Sequence, residues 1–522
     1  MGKLIRGVVM KKLIKILFSR IFTAAVLILI QAIILFAAIW KLSDKFTYLY
    51  AAFIIFSLII ILVIINRRIN SAYKLVWAIT ILVLPVFGGL FYLIFGGNRM
   101  GKRMRRKMQS INNITFPYLK QEPNLMYELW STDKQAAKQA SYLVNCAHYP
   151  LMKNTDTKYL PTGEDKFEDL IIELEQAKRF IFMEYFIIEP GLMWDKVLEI
   201  LKEKAAKGVD VRIIYDDAGC LQTLPRKYYK TLEKLGIKCI AFNPFKPSLT
   251  PRHNNRDHRK IVVIDGWIGF TGGVNLADEY INKKVKYGHW KDSSIMLKGD
   301  GVWNLTMLFL QTWYIYRPKD AKEDKNRFRP HHLAPNEVFE DGYVLPFGDS
   351  PYDEEIVAEY AYLNLINKAT QYVYITTPYL IIDDELCTAL CVAAKGGTDV
   401  RIITPNVPDK WYVHTLTRAS YAQLIDAGVK IYEYMPGFIH SKTFVVDDKL
   451  GIVGTINLDY RSLYLHFECG VWMYKTKALM EMKADYIETL KSCRQITAEE
   501  SSNISWRRRT VNAILRLFAP LL

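Results

Sequence analysis

The chain has few cysteines, and they form no pattern. Seven in 522 residues, at positions 146, 220, 239, 387, 391, 469 and 493, are odd in number and scattered, which excludes a disulfide framework as the organising device. Cys387 and Cys391 lie one helical turn apart, yet no further Cys or His spacing completes a zinc site. Reduced, mostly buried thiols fit a domain facing the cytoplasm. Acidic residues are also in short supply: 53 Asp and Glu against 69 Lys and Arg leave a formal net charge of +16. Nor does a clear small-residue cleavage site follow the first apolar run, and a second run comes close behind it, so the N-terminus is not a cleavable signal. A plain soluble enzyme seldom combines that charge with 51% hydrophobic residues.

The apolar residues gather at the start, and residues 1–100 read as a membrane region. Residues 21–40 are uncharged and long enough to cross a ~30 Å hydrocarbon core at ~1.5 Å per residue. Residues 47–65 form a second expected span. A third apolar run, 75–95, is interrupted by Pro85, Gly88 and Gly89, which suits a re-entrant segment as well as a span. Basic clusters at the N-terminus, at Arg67, Arg68 and Lys74, and from Arg99 to Lys107 all fall on the cytoplasmic side if two segments span and the third dips back. That arrangement places everything after residue 100 in the cytoplasm. Residues 101–138 read as a basic linker. At the other end, residues 500–522 mix Trp506, Arg507, Arg508, Arg509 and Arg516 with Ile and Leu at helical spacing. The tail reads as an amphipathic helix at an anionic lipid surface, a helix docked on the protein being the alternative.

One pattern occurs twice: His258-x-Lys260-x4-Asp265 and His440-x-Lys442-x4-Asp447. Each is followed by a Gly-x-x-Asn turn, Gly272 to Asn275 (as Gly-Gly-Val-Asn) and Gly454 to Asn457, and the offset is 182 residues for His, Lys, Asp and Asn alike (258 to 440). The shared register excludes coincidence. After each His comes a buried-strand pattern, so the imidazole and the ammonium two residues on project to one face. The turn brings Asn275 or Asn457 back beside them. Buried Lys and Asn donors call for an anion, and a phosphate supplies the acceptors. Two His, two Lys and two Asn around one phosphoryl group suit covalent phosphoryl transfer: one imidazole attacks phosphorus, and the other protonates the leaving alcohol and deprotonates the entering one. No metal and no cofactor is expected, since two lysines already neutralise the phosphate. Asp292 and Glu468 are placed to orient the imidazoles. Asp265 and Asp447 belong to the motif and are grouped with the catalytic set, though their position after an apolar strand fits a turn or ion pair better than proton transfer.

The repeat is wider than the motif. Residues 177–186 parallel 370–379, and residues 208–216 parallel 397–405, with helical stretches between short apolar strands. This predicts an α/β fold of two similar halves, 139–330 and 331–495, related by a pseudo-twofold repeat and building one site at their interface.

Tyr215-Asp-Asp-Ala-Gly219, Gly272 to Tyr280, Thr377-Pro-Tyr379 and Gly437 to Lys442, together with both motifs, resemble the phospholipase D superfamily and, within it, the bacterial cardiolipin synthases. Thr455 stands where that family usually has Ser, and keeps the hydroxyl. The resemblance implies a phosphohistidine intermediate, with His258 favoured as the nucleophile, and transfer of a phosphatidyl group from one phosphatidylglycerol to another to give cardiolipin and glycerol. The implied partners are phosphatidylglycerol and cardiolipin in the membrane, with no nucleic acid. Water and alcohols attack the same intermediate, so a phospholipase or another phosphatidyltransferase is the near rival. A membrane-tethered nuclease is a more distant one, because the positive charge gathers at membrane flanks. A catalytically silent scaffold does not account for six intact motif residues.

Overall fold

The computed structural model describes residues 47–84, 88–96, 102–245, 254–330, 341–352, 355–503 and 505–521, with isolated positions between 29 and 40. Two compact units emerge, residues 1–100 with 243–255 and Leu521, and residues 101–242 with 256–520.

In the first unit the helices Thr47–Asn66, Ser71–Val83 and Gly88–Phe95 pack on one another. The apolar run 75–95 is therefore not one continuous helix. A Cβ on Gly88 would stand 2.5 Å from the backbone of Ile81, so the glycine permits the close approach of the last two helices. The expected span 21–40 lies outside the described residues apart from isolated positions. Among the described residues no helix is long and apolar enough to cross a membrane.

The second unit holds two α/β halves. The first is built on a seven-stranded sheet, in spatial order 155–160, 294–299, 268–272, 261–264, 180–185, 210–216 and 238–242. The second has eight strands, in order 493–495, 430–434, 399–405, 372–376, 443–446, 450–454, 468–474 and 343–349. In each sheet the strand after the motif lysine runs antiparallel between the same two neighbours, 261–264 between 180–185 and 268–272, and 443–446 between 372–376 and 450–454. Ile261–Ile264 and Thr443–Val446 are buried throughout, which explains their unbroken apolar runs. The helix Val302–Tyr316 is buried at every position but the last. It packs on strands of the first sheet and on strand 343–349 of the second.

Residues 101–138 are not a linker. They form the helices Lys102–Thr115 and Pro123–Thr132 and the start of Lys134–Cys146, which bury Ile111, Leu129, Ala136, Ala137 and Ala140. The polar composition hid narrow apolar stripes. The last of these helices packs against the second half, with Gln139 accepting from the Trp472 indole and donating to the Asn364 carbonyl. At the C-terminus, Trp506–Phe518 docks on the helix Trp411–Ala419 through one face that includes the buried Asn512. Trp506, Val511, Ile514 and Phe518 stay exposed.

Candidate active site

Two short parallel pairings lace the halves together. His289, Trp290 and Lys291 pair with Gly437, Phe438 and Ile439, and Asp257 pairs with Phe467. The next residue on each strand is a motif histidine or its carboxylate, so the ladder register itself sets them side by side. The backbone N–H of His258 donates to the Phe467 carbonyl at 3.0 Å, and that of His440 to the Lys291 carbonyl at 2.7 Å.

The result is a crossed arrangement. His258, of the first half, places Nδ1 at 3.0 and 3.1 Å from the carboxylate oxygens of Glu468, of the second. His440, of the second half, places Nδ1 at 2.6 Å from Oδ2 of Asp292, of the first. Both carboxylates are fully buried. A carboxylate at Nδ1 accepts a hydrogen bond from it, keeps the ring proton there and leaves the Nε2 lone pair for chemistry. Burial pushes His258 down to about 3, against the pull of Glu468 and with help from the Lys260 charge. Burial, then Lys442, push His440 down to about 4 despite Asp292. Both shifts favour the neutral imidazole, the state a nucleophile or base requires.

Both motif lysines are buried. Lys260 Nζ donates to the carbonyl of His258, and Lys442 Nζ to the carbonyl of His440. Burial lowers Lys260 to about 8 against Glu468 and Asp292, and Lys442 to about 7 against Asp292. Asn275 and Asn457 line the pocket. Asn275 donates to Tyr280 Oη at 2.6 Å and accepts from the Ile187 N–H at 3.0 Å, while Asn457 Oδ1 has no partner among the described residues.

Asp265 and Asp447 do not join this group. Each sits at the turn that ends its strand, with φ of 53° and 52°. Asp265 accepts the N–H groups of Lys178, Arg179 and Phe180, and Asp447 those of Thr370, Gln371 and Tyr372. These aspartates anchor the start of the neighbouring strand. Their grouping with the catalytic residues is corrected accordingly.

The non-identical turns have a steric cause. At Gly273 a Cβ would fall 1.9 Å from Asp292 Oδ1, so only glycine fits. At the equivalent Thr455 the hydroxyl donates to Glu468 Oε2.

Two further residues escaped the sequence reading. His466 lies with its ring 5.6 Å from that of His258, lines the pocket with Nδ1 3.7 Å from Glu468 Oε1, and among the described residues has no hydrogen-bond partner on either nitrogen. Lys166, lowered by burial to about 7, donates to Tyr185 Oη at 2.7 Å and contacts the Val274 carbonyl beside Asn275. Neither belongs to a repeated motif, and only proximity in space marks them. The ligand atoms of His258, His466 and Glu468 lie within 4.8 Å of one another, as do those of Glu359, Asp383 and Glu385, which makes these the two groups able to hold a metal ion among the described residues.

A cavity of about 480 Å³ opens over both histidines. Two α/β halves sharing one site of paired His, Lys and Asn define a phospholipase D-like protein. A family profile described as "Cardiolipin synthase, PLD-like domain" matches residues 170–290 and 362–490, and a "Phospholipase D-nuclease N-terminal" profile matches 52–97. The chain belongs to the cardiolipin synthase family of that superfamily. It is 35% identical over 460 residues to a cardiolipin synthase of Geobacillus sp. (strain WCH70), covering 88% of this chain and 90% of that one. It is 42% identical over 468 residues to an uncharacterized protein of Streptococcus mutans, covering 88% and 99%. Among solved structures, the phosphatidylserine synthase of Haemophilus influenzae shares the fold, with a TM-score of 0.54 and 15% identity over 74% of this chain and 97% of that one.

Proposed function

We propose that this protein is a cardiolipin synthase that moves a phosphatidyl group from one phosphatidylglycerol to another. The observation that carries the reading is the pair of crossed His–carboxylate contacts over one cavity. His258 Nε2 attacks phosphorus as the P–O bond to glycerol breaks; His440, whose protonated form the bound anionic diester favours, gives its Nε2 proton to the leaving oxygen. The hydroxyl of a second phosphatidylglycerol then gives its proton to His440 and attacks phosphorus, and the P–N bond breaks to return the electron pair to His258. Lys260, Lys442, Asn275 and Asn457 stabilise the charge gathered on the phosphoryl oxygens. No metal or cofactor enters these steps.

The family's lipid substrate supports a location at the cell membrane. In this reading residues 21–40 and 47–65 span, the segment 75–95 re-enters, and the catalytic halves face the cytoplasm. The exposed Trp506, Val511, Ile514 and Phe518, beside four arginines, suit an anionic lipid interface. Expression in a bacterium lacking cardiolipin, followed by lipid extraction and mass spectrometry, tests the function. Cardiolipin is expected, and its absence with abundant enzyme and phosphatidylglycerol refutes the reading.

A further inference from the structure

The two halves repeat, but the walls they give the cavity do not. Each histidine sits in its own surroundings, and equivalent positions carry different chemistry. Four residues after Asn275 stands Glu279; four residues after Asn457 stands Arg461. Phe186, whose ring lies 5.1 Å from that of His258, has Tyr379 as its counterpart in the repeat. Trp290, 5.5 Å from the His440 ring, occupies the place that His466 takes beside His258.

The asymmetry is one of hydrogen-bonding capacity. The cavity lining includes Arg256, Arg461 and His466, whose ring lies 5.6 Å from that of His258. It also includes Glu279, Asp409, Tyr280 and Tyr379. Tyr280 lies with its ring 5.8 Å from that of His440, and Tyr379 donates to Asp409 at 2.7 Å. Glu279 is 2% exposed; one carboxylate oxygen accepts from Lys286 at 2.7 Å and the other has no partner among the described residues. A buried carboxylate oxygen with no donor is costly, and a ligand hydroxyl would supply the donor.

We propose that the His440 side of the cavity is a polyol subsite in which Glu279, held by Lys286, accepts a hydrogen bond from the second hydroxyl of the entering and leaving glycerol moiety. The inference rests on the reading of His440 as the residue that exchanges protons with alcohols. It assigns Glu279 as the residue that makes a diol a better acceptor than water or a simple alcohol. The covalent step is unchanged: the acceptor O–H proton passes to His440 Nε2, the oxygen bonds to phosphorus, and the P–N bond to His258 breaks. Glu279 exchanges no proton; it selects and positions.

The test uses the full-length enzyme in detergent micelles with a phosphatidyl diester of p-nitrophenol as donor. This leaving group needs neither protonation nor a polyol subsite, so its release reads formation of the phosphatidyl-enzyme alone. Glycerol and 1-propanol compete as acceptors, and the lipid products are quantified by mass spectrometry. Wild type is expected to favour glycerol at least tenfold. Glu279→Gln is expected to release p-nitrophenol within threefold of wild type while that preference falls at least tenfold. Lys286→Met, whose parent side chain is 40% exposed, is the second variant and is expected to lower the preference severalfold. An unchanged preference in both variants overturns the subsite, as does a Glu279→Gln enzyme that loses p-nitrophenol release along with its selectivity. Wild type that releases p-nitrophenol yet transfers only to water would instead overturn the transferase reading.

Discussion

Glu468→Gln separates the two histidines kinetically. Glu468 is fully buried, receives the Thr455 hydroxyl on Oε2, and faces His258 Nδ1 with both oxygens. A glutamine has one acceptor oxygen for these two donors. If that oxygen stays with Thr455, its NH2 turns to His258 Nδ1, which must then accept. The imidazole proton moves to Nε2, and the lone pair that attacks phosphorus is lost. Forcing a catalytic histidine into the wrong tautomer costs roughly 10⁴ in rate, about 5.5 kcal/mol of barrier. The assay is the burst of p-nitrophenol from a phosphatidyl p-nitrophenol diester, followed by quench-flow measurement of transfer to glycerol. Glu468→Gln is expected to slow the burst by about that factor. Asp292→Asn, which acts on His440, is expected to spare the burst and slow the transfer. The reasoning fails if Asp292→Asn suppresses the burst as strongly as Glu468→Gln, since the crossed pairs would then not divide nucleophile from acid–base.

Other expected outcomes are as direct. Asp265→Asn and Asp447→Asn should lower stability by about 1–3 kcal/mol in denaturant unfolding, because each weakens a cluster of N–H acceptors, while specific activity persists. Lys260→Met or Lys442→Met should remain folded and lose turnover equivalent to ~3–4 kcal/mol of barrier, read as a fall in the rate of cardiolipin formation. The lysines titrate near 7 and 8 when folded but near 10.4 when unfolded, so the unfolded chain binds more protons between these values and stability should climb from pH 7 towards 10. Lys442→Met should flatten that slope in thermal melts, and an unchanged slope would contradict the assignment. For the proposed topology, single cysteines at Ser43, Ser71 and Ser110 in a cysteine-free background should label with an impermeant reagent only at Ser43; labelling at Ser110 would put the catalytic halves outside.

Much of this site is legible in the sequence because its signal is local. His258, Lys260 and Asn275 keep fixed spacings, and the copy 182 residues on carries the same ones (258 to 440), so the half-sites and their α/β strands follow from periodicity alone. What spacing cannot carry is partnership. Nothing in the chain order says that Glu468 serves His258 and Asp292 serves His440, since that depends on two three-dimensional ladders. Asp265 and Asp447 illustrate the converse: they keep the repeat as faithfully as the lysines, because a turn that anchors a strand is constrained in register too. Residues 101–138 read as a linker because their composition is polar and basic, although the helix Lys102–Thr115 repeats an apolar face at helical spacing.

The crossed partnership also bears on how the protein is made. His258 waits for a carboxylate 210 residues further along, and His440 depends on one 148 residues behind it. A ribosome that has released only the first half has exposed a nucleophile with no orienting partner and no second imidazole. Chemical competence therefore arrives late and all at once, when residue 468 has emerged and strand 468–474 has found its sheet. Until then, on the proposed reading, a nascent chain held at a lipid surface cannot begin to cleave the phosphodiesters there.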